Sequence, residues 1–393
     1  MAVAGGALDI SSSTTRLPIL DGLRGIGLIV IMLVHFRSVE EPAAGAWLER
    51  IWHFGLDMGV IALDVFFVLS GFLITRILLD SKGSRAYFAT FYARRVLRIF
   101  PVYYGFLVGY FILLPHLAEW AEQVRISPLQ HFYYWTYTTN IAAGLNDWLN
   151  PAQAGTVFPF HHSTTHLWSL ALEEQFYLAW PAVVHFCSLS GMKRACVACI
   201  VLAPIARVIL VFTLGPYSNA AYVLTPARMD GIAWGALIAV ILRQPGILPQ
   251  CLWMAKRVAL LAAGVLFGIY AYEGRLNGEE SALFQTLGLT GSVYLGASLV
   301  VMSLAAQQEG RCYQLFANPI LRSVGGYSYA TYVLHLPLRF MLEWTGLFSK
   351  PAANLGLVAE LEYSVPMVAL SLAGGVVIWH TYEKHWLNLR RHL

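Results

Sequence analysis

Arg24 and His35 lie eleven residues apart in the apolar stretch LDGLRGIGLIVIMLVHF. A helix rises about 1.5 Å and turns about 100° per residue, so this spacing puts them roughly 16 Å apart along the axis and within about 20° of one face. An ionisable group in hydrocarbon costs at least about 2.5 kcal/mol and persists beside a partner or a water-filled cavity. A guanidinium can grip phosphate oxygens, and an imidazole can move a proton near neutral pH. The pair therefore reads as two depths of one site.

Other polar groups recur in apolar surroundings. Asp64 stands alone in MGVIALDVFFVLSGFLIT, with Ser70 and Gly71 further along, and calls for an Arg or His on a neighbouring helix. Arg94, Arg95 and Arg98 precede an apolar run, and Arg94 and Arg98 share a helical face. They serve either as a membrane anchor or as a clamp for a phosphorylated donor. In HHSTTHLWSLALEEQFYLAWP, His161, His162 and His166 precede Glu173 and Glu174. His162 and His166 are four apart, but no H-E-x-x-H follows, so no metal is expected and a polar cavity rim is. Arg228 and Asp230 head a helix carrying Gly231 and Gly235, a spacing suited to close helix packing. Ser328, Tyr332 and His335 fall on one face of a further apolar segment, continued by Arg339 and Glu343.

The elements that must hold these groups are membrane helices. The chain of 393 residues is 58% hydrophobic and 12% charged, about half the charge of a soluble domain. Apolar segments fall near 20–37, 58–80, 99–117, 166–187, 195–215, 224–242, 257–272, 284–306, 327–348 and 363–383. The aromatic stretch 128–144 is an eleventh candidate. Basic residues concentrate at 82–98, 193–194, 243–257, 311–322 and 384–391, whereas acidic ones dominate the alternate loops. The positive-inside rule places all the basic groups on one side only if 118–165 stays on the outer side or re-enters. The expectation is an all-α, polytopic protein of about ten spans with both termini cytoplasmic. A single domain fills 1–393, with 1–16 a flexible tail. The five cysteines are odd in number and not spaced as a disulfide framework, and Cys196 and Cys199 lie in an apolar helix with no second ligand pair.

LDGLRG with a span ending in VHF, then DVFFVLSGFLIT, RRVLRIFPVYY, HLWSLALEEQFYL, RMDGIAWGALIA and GGYSYATYVLHLPL occur in order from about residue 17 to 385. Together they resemble the bacterial membrane-bound acyltransferase family three. The resemblance implies a ten-helix protein of the bacterial cytoplasmic (inner) membrane that moves an acyl group, usually acetyl from acetyl-CoA, onto a hydroxyl of a glycan or secondary metabolite. It makes Arg24 and His35 the signature pair and Glu173 a further functional position, and suggests that Arg94, Arg95 and Arg98 grip the CoA phosphates. Many members add an SGNH domain after the last span; this sequence carries none before its end at Leu393.

On this reading His35 deprotonates the acceptor hydroxyl and Glu173 or Asp64 orients the imidazole. Arg24 holds the pantetheine arm or the developing negative charge, with Arg94, Arg95, Arg98 and Ser70 on the donor. His166, Arg228, Asp230, Ser328, Tyr332 and His335 line the acceptor side. A route through an acylated His35, Ser70 or Ser328 is the chemical alternative. The partners are acyl-CoA, a glycan or small-molecule alcohol, and membrane lipid; nucleic acid is not among them. The rival reading is a proton-coupled transporter with Asp64, Glu173, His35 and His335 as a relay.

Overall fold

The computed structural model describes residues 12, 15–37, 47–149, 162–276, 281–306, 310–351 and 356–390. His161, most of the 1–16 tail, and the acidic loop residues Glu40, Glu41, Glu279 and Glu280 lie outside them. Among the described residues the regular structure is helical throughout, with no strand. The long helices are α1 (Pro18–His35), α2 (Trp47–Asp57), α3 (Gly59–Ser81), α4 (Tyr87–Leu107), α5 (Pro128–Trp135), α6 (Thr139–Leu149), α7 (Leu167–Phe186), α8 (Leu189–Leu214), α9 (Thr225–Ile241), α10 (Leu248–Glu273), α11 (Leu289–Leu304), α12 (Pro319–Gly326), α13 (Ser328–Trp344) and α14 (Gly356–Ile378).

Eight segments are long and apolar enough to cross a membrane: Pro18–His35, Trp47–Ser81, Tyr87–Leu117, Leu189–Leu214, Ala220–Ile241, Leu248–Glu273, Phe284–Leu304 and Gly356–Leu389. The remaining two expected spans are helices as well, α7 and α13. They fall outside that set because α7 carries Glu173 beside Glu174, whereas α13 has only 17 residues and includes Arg339 and Glu343. In 118–165, α5 and α6 have 8 and 11 residues. Neither approaches the roughly 20 residues that a spanning helix needs, which removes the eleventh span.

Local chemistry explains the ends of α1. Pro18 occupies the first turn, where its missing N–H costs nothing, and Asp21 in the same turn faces the positive end of the helix dipole. Ser127 caps α5 through a complete capping box with Gln130. On the flanks of the bundle, α8 and α10 expose Val201, Ile205, Phe212, Leu260, Leu261 and Phe267, as helices facing hydrocarbon do.

α3 is the hub, packed on α1, α9 and α11. Its crossing with α9 is backbone on backbone. A Cβ at Gly71 would meet the Ile232 carbonyl oxygen at 2.0 Å, and one at Gly235 the Val68 carbonyl oxygen at 1.9 Å. The expected Gly235 spacing thus has a concrete cause. Gly25 on α1 and Gly325 on α12 repeat the device, with distances of 2.1 Å and 2.0 Å to the facing carbonyl oxygens. Gly235→Leu is expected to abolish recovery of folded, monodisperse protein, because rigid backbone must separate; size-exclusion profiles of the detergent-solubilised variant check this.

Candidate active site

Two cavities lie along α1. The first, of about 340 Å³, takes Arg24 from α1, Arg95 and Arg98 from α4, and Arg390 from beyond α14. Glu173, Glu174 and Tyr177 enter it from α7, and Ser70 from α3. Arg98 is held by Glu383 at 2.7 Å. Among the described residues no hydrogen bond or ion pair closes on the guanidinium of Arg24 or Arg95, and Arg95 Nε is buried without a partner. Burial, then Arg98 and Arg95, pull Arg390 down to about 10, a sign of how crowded the cations are. An unpaired arginine in a bundle core is a binding site for an anion or a costly error. Tyr177 donates to Glu173 at 3.0 Å and also bonds Ser70.

The second cavity, of about 440 Å³, lies at the other end of α1. His35 shares it with His162, His166, Trp168 and Tyr222, and the Arg37–Asp57 ion pair stands at 2.8 Å on its wall. His35 Nδ1 lies 2.7 Å from Nε2 of His335, and His335 Nδ1 lies 2.6 Å from the Tyr332 carbonyl oxygen. The His35 and His335 rings stack at 5.0 Å, and His166 meets the His335 ring edge-on at 4.7 Å. His166 is buried, its ring set against the α13 backbone at Tyr332 and Val333. Arg339 donates to the His35 backbone carbonyl and ties α13 to the end of α1.

Tyr332 lines both cavities, together with Ile31 and Leu63. Its hydroxyl lies 2.7 Å from Ser169 Oγ and 3.2 Å from the His166 carbonyl oxygen. A thin wall carrying one polar side chain therefore separates an arginine chamber from a histidine chamber. Such an arrangement can admit an anionic molecule at one end and a hydroxyl compound at the other, with the reacting atoms meeting near Tyr332.

The structure redistributes several sequence-based assignments. Asp64 lines neither cavity: fully buried, it pairs with Arg228 at 2.8 Å and accepts from Ser292. Arg228 is consumed in that pair, and Asp230 in a second one with Arg207, also at 2.8 Å. These four groups join α3, α8 and α9, so Asp64, Arg228 and Asp230, expected at the site, stand in interhelical ion pairs and line neither cavity. Arg94 is exposed and outside the cavity, because the inward face of α4 carries Arg95 and Arg98, three residues apart. Glu173 lines the arginine chamber rather than contacting His35. The group that touches His35 is His335, assigned above to the acceptor. Ser328 lines the arginine chamber, not the acceptor side. Arg390, Tyr177 and Ser169 carried no sequence signal of a site, and Glu174 was singled out only as the neighbour of Glu173; for Arg390 only its place in a basic C-terminal cluster could have prompted the thought.

This combination defines a membrane protein with two polar cavities inside its helical bundle, and the comparisons give the class its name. The chain belongs to the acyltransferase family whose model is described as Acyltransferase domain, matched over residues 17–380. The chain is similar to a peptidoglycan O-acetyltransferase, OatA, of Listeria monocytogenes, with 25% identity over 83% of this chain and 50% of the relative. It is also similar to the O-acetyltransferase OatA of Staphylococcus aureus strain NCTC 8325, with 24% identity over 84% and 52%. A putative O-acetyltransferase of strain COL is 24% identical over 81% and 50%. The chain thus spans about half the length of these curated relatives. No solved structure matches.

Proposed function

We propose that this protein is a membrane O-acyltransferase that moves an acyl group, acetyl in the first instance, from an acyl-CoA to a hydroxyl of a cell-wall-type glycan. The observation that carries the reading is the pair of chambers meeting at Tyr332, one lined by four arginines, of which Arg24 and Arg95 have no ion-pair partner among the described residues, and the other by His35. The arginine chamber suits the phosphates of the donor, and the helical rise from Arg24 to His35, roughly 16 Å, suits an extended pantetheine arm. By the positive-inside argument that chamber faces the cytoplasm of a bacterial inner membrane, with both termini on the same side. The named acceptor of the Listeria relative supports a glycan in the histidine chamber, where Trp168 and Tyr222 offer aromatic faces.

In this mechanism Nε2 of His35 takes the proton of the acceptor hydroxyl as its oxygen attacks the thioester carbonyl. The tetrahedral intermediate collapses with loss of the C–S bond; the ester forms and the CoA thiolate leaves, to be protonated to the free thiol. Tyr332, at the wall, would donate to the oxyanion by turning its hydroxyl proton away from Ser169 and the His166 carbonyl. The transporter relay loses Asp64 to its arginine partner, and no observation here favours it.

Purified protein in detergent should release CoA thiol from acetyl-CoA when a glycan acceptor is added; absence of turnover with any acyl-CoA sinks the donor assignment. Arg95→Ala is expected to raise the donor KM by at least about tenfold, corresponding to loss of a charge-assisted contact of about 1.5–3 kcal/mol, with kcat changed far less. Initial rates at varied acetyl-CoA check this.

A further inference from the structure

The proton inventory of the histidine pair points to a role for His335 that goes beyond lining a cavity. A carbonyl oxygen only accepts hydrogen bonds, so at 2.6 Å from the Tyr332 oxygen the His335 Nδ1 carries a proton. The ring is fully buried, it packs against two other imidazoles and aromatic rings, and among the described residues no carboxylate is hydrogen-bonded or ion-paired to it. In the neutral ring, one N–H is spent on the carbonyl and Nε2 is a bare acceptor. That acceptor stands 2.7 Å from His35 Nδ1. His35 must then place its own proton on Nδ1, which leaves its Nε2 lone pair bare.

We propose that His335 is the positioning residue for His35: relayed from the Tyr332 carbonyl, its Nε2 fixes the tautomer in which His35 Nε2 is the base. This rests on the reading of His35 as the proton acceptor. The arrangement does the work of the carboxylate in a Ser-His-Asp triad with a second, uncharged imidazole. When His35 takes the acceptor's proton, its Nδ1–H stays on His335 and the bond strengthens, because its donor is now cationic. The other groups facing His35 leave that assignment intact. Arg339 contacts its backbone carbonyl, Arg37 is paired with Asp57, which also accepts from the Leu276 N–H, and His162, His166 and Tyr332 line the same chamber.

The test combines ¹⁵N NMR of histidine-labelled protein in lipid nanodiscs with kinetics of His335→Phe and His335→Gln. In the wild type at neutral pH, His35 should show a protonated Nδ1 and a pyridine-type Nε2. His335→Phe removes the acceptor and should scramble that tautomer, lower kcat by about 10²–10⁴-fold and leave the donor KM nearly unchanged. It should also move the acid limb of the kcat–pH profile to lower pH, since the charged form of His35 loses its hydrogen-bond partner. His335→Gln, whose amide oxygen can accept from Nδ1, should restore tautomer and limb together. A pyridine-type Nδ1 in wild-type His35 overturns the proposal, as does an unmoved pH limb in a folded His335→Phe. If His335→Phe does not fold, the wild-type tautomer and the His335→Gln profile still decide. Undiminished turnover in His35→Ala, by contrast, removes the base reading while leaving the measured tautomer as it is.

Discussion

His35→Ala is expected to lower acceptor-dependent kcat by about 10²–10⁴-fold while the KM for acyl-CoA stays within about threefold. The asymmetry follows from where the groups lie. On the proposed reading the donor's charged end would be held by Arg24, Arg95 and Arg98, which line one chamber, whereas His35 lines the other, beyond Tyr332. Removing the imidazole would then take away proton transfer and leave the proposed phosphate contacts in place. Thiol release with and without acceptor, measured at several donor concentrations, checks the split. A His35→Ala variant that turns over normally, or one whose only defect is donor KM, would place the base elsewhere. A labelled acyl group that remains on the wild-type protein after denaturation would instead revive an acyl-enzyme route.

The long-range plan was legible because hydrophobic runs and basic loops are local signals. The expected 58–80 and 224–242 segments correspond to Gly59–Ser81 and Thr225–Ile241. The Arg24–His35 geometry also needed only one unbroken helix, and α1 supplies it. What the sequence withheld is pairing between helices. The need for a cation beside Asp64 followed from electrostatics alone, yet nothing local says that Arg228, 164 positions later, is that cation and spends itself there. His35 and His335 are 300 positions apart, so their contact exists only once α13 is laid against α1. The face of α4 that turns inward was illegible for a similar reason. Arg94/Arg98 and Arg95/Arg98 are equally good helical neighbours, and only the packing of α7 and the chain beyond α14 selects the second pair. Two helices that carry much of the site, α7 and α13, are also the two expected spans outside the set long and apolar enough to cross a membrane, in part because polar side chains at a cavity dilute the membrane signal.

The Asp64–Arg228 pair yields the second large effect, and it separates an architectural charge from a chemical one. Both side chains are fully buried, and Asp64 is further held by Ser292. Asp64→Ala leaves the Arg228 guanidinium buried without its counter-charge, a loss of about 3–5 kcal/mol in stability. Thermal unfolding of the solubilised variant should show a marked fall, and expression should drop with it. The protein that does fold should keep kcat within a few-fold, because Asp64 lines neither chamber. Asp64→Leu combined with Arg228→Met should recover much of the lost stability, since two apolar groups of similar size leave no charge unpaired. A relay or catalytic carboxylate predicts the opposite pattern, with normal stability, a large loss of turnover and no rescue by the double substitution. Seeing that pattern would return Asp64 to the site from which its ion pair now excludes it.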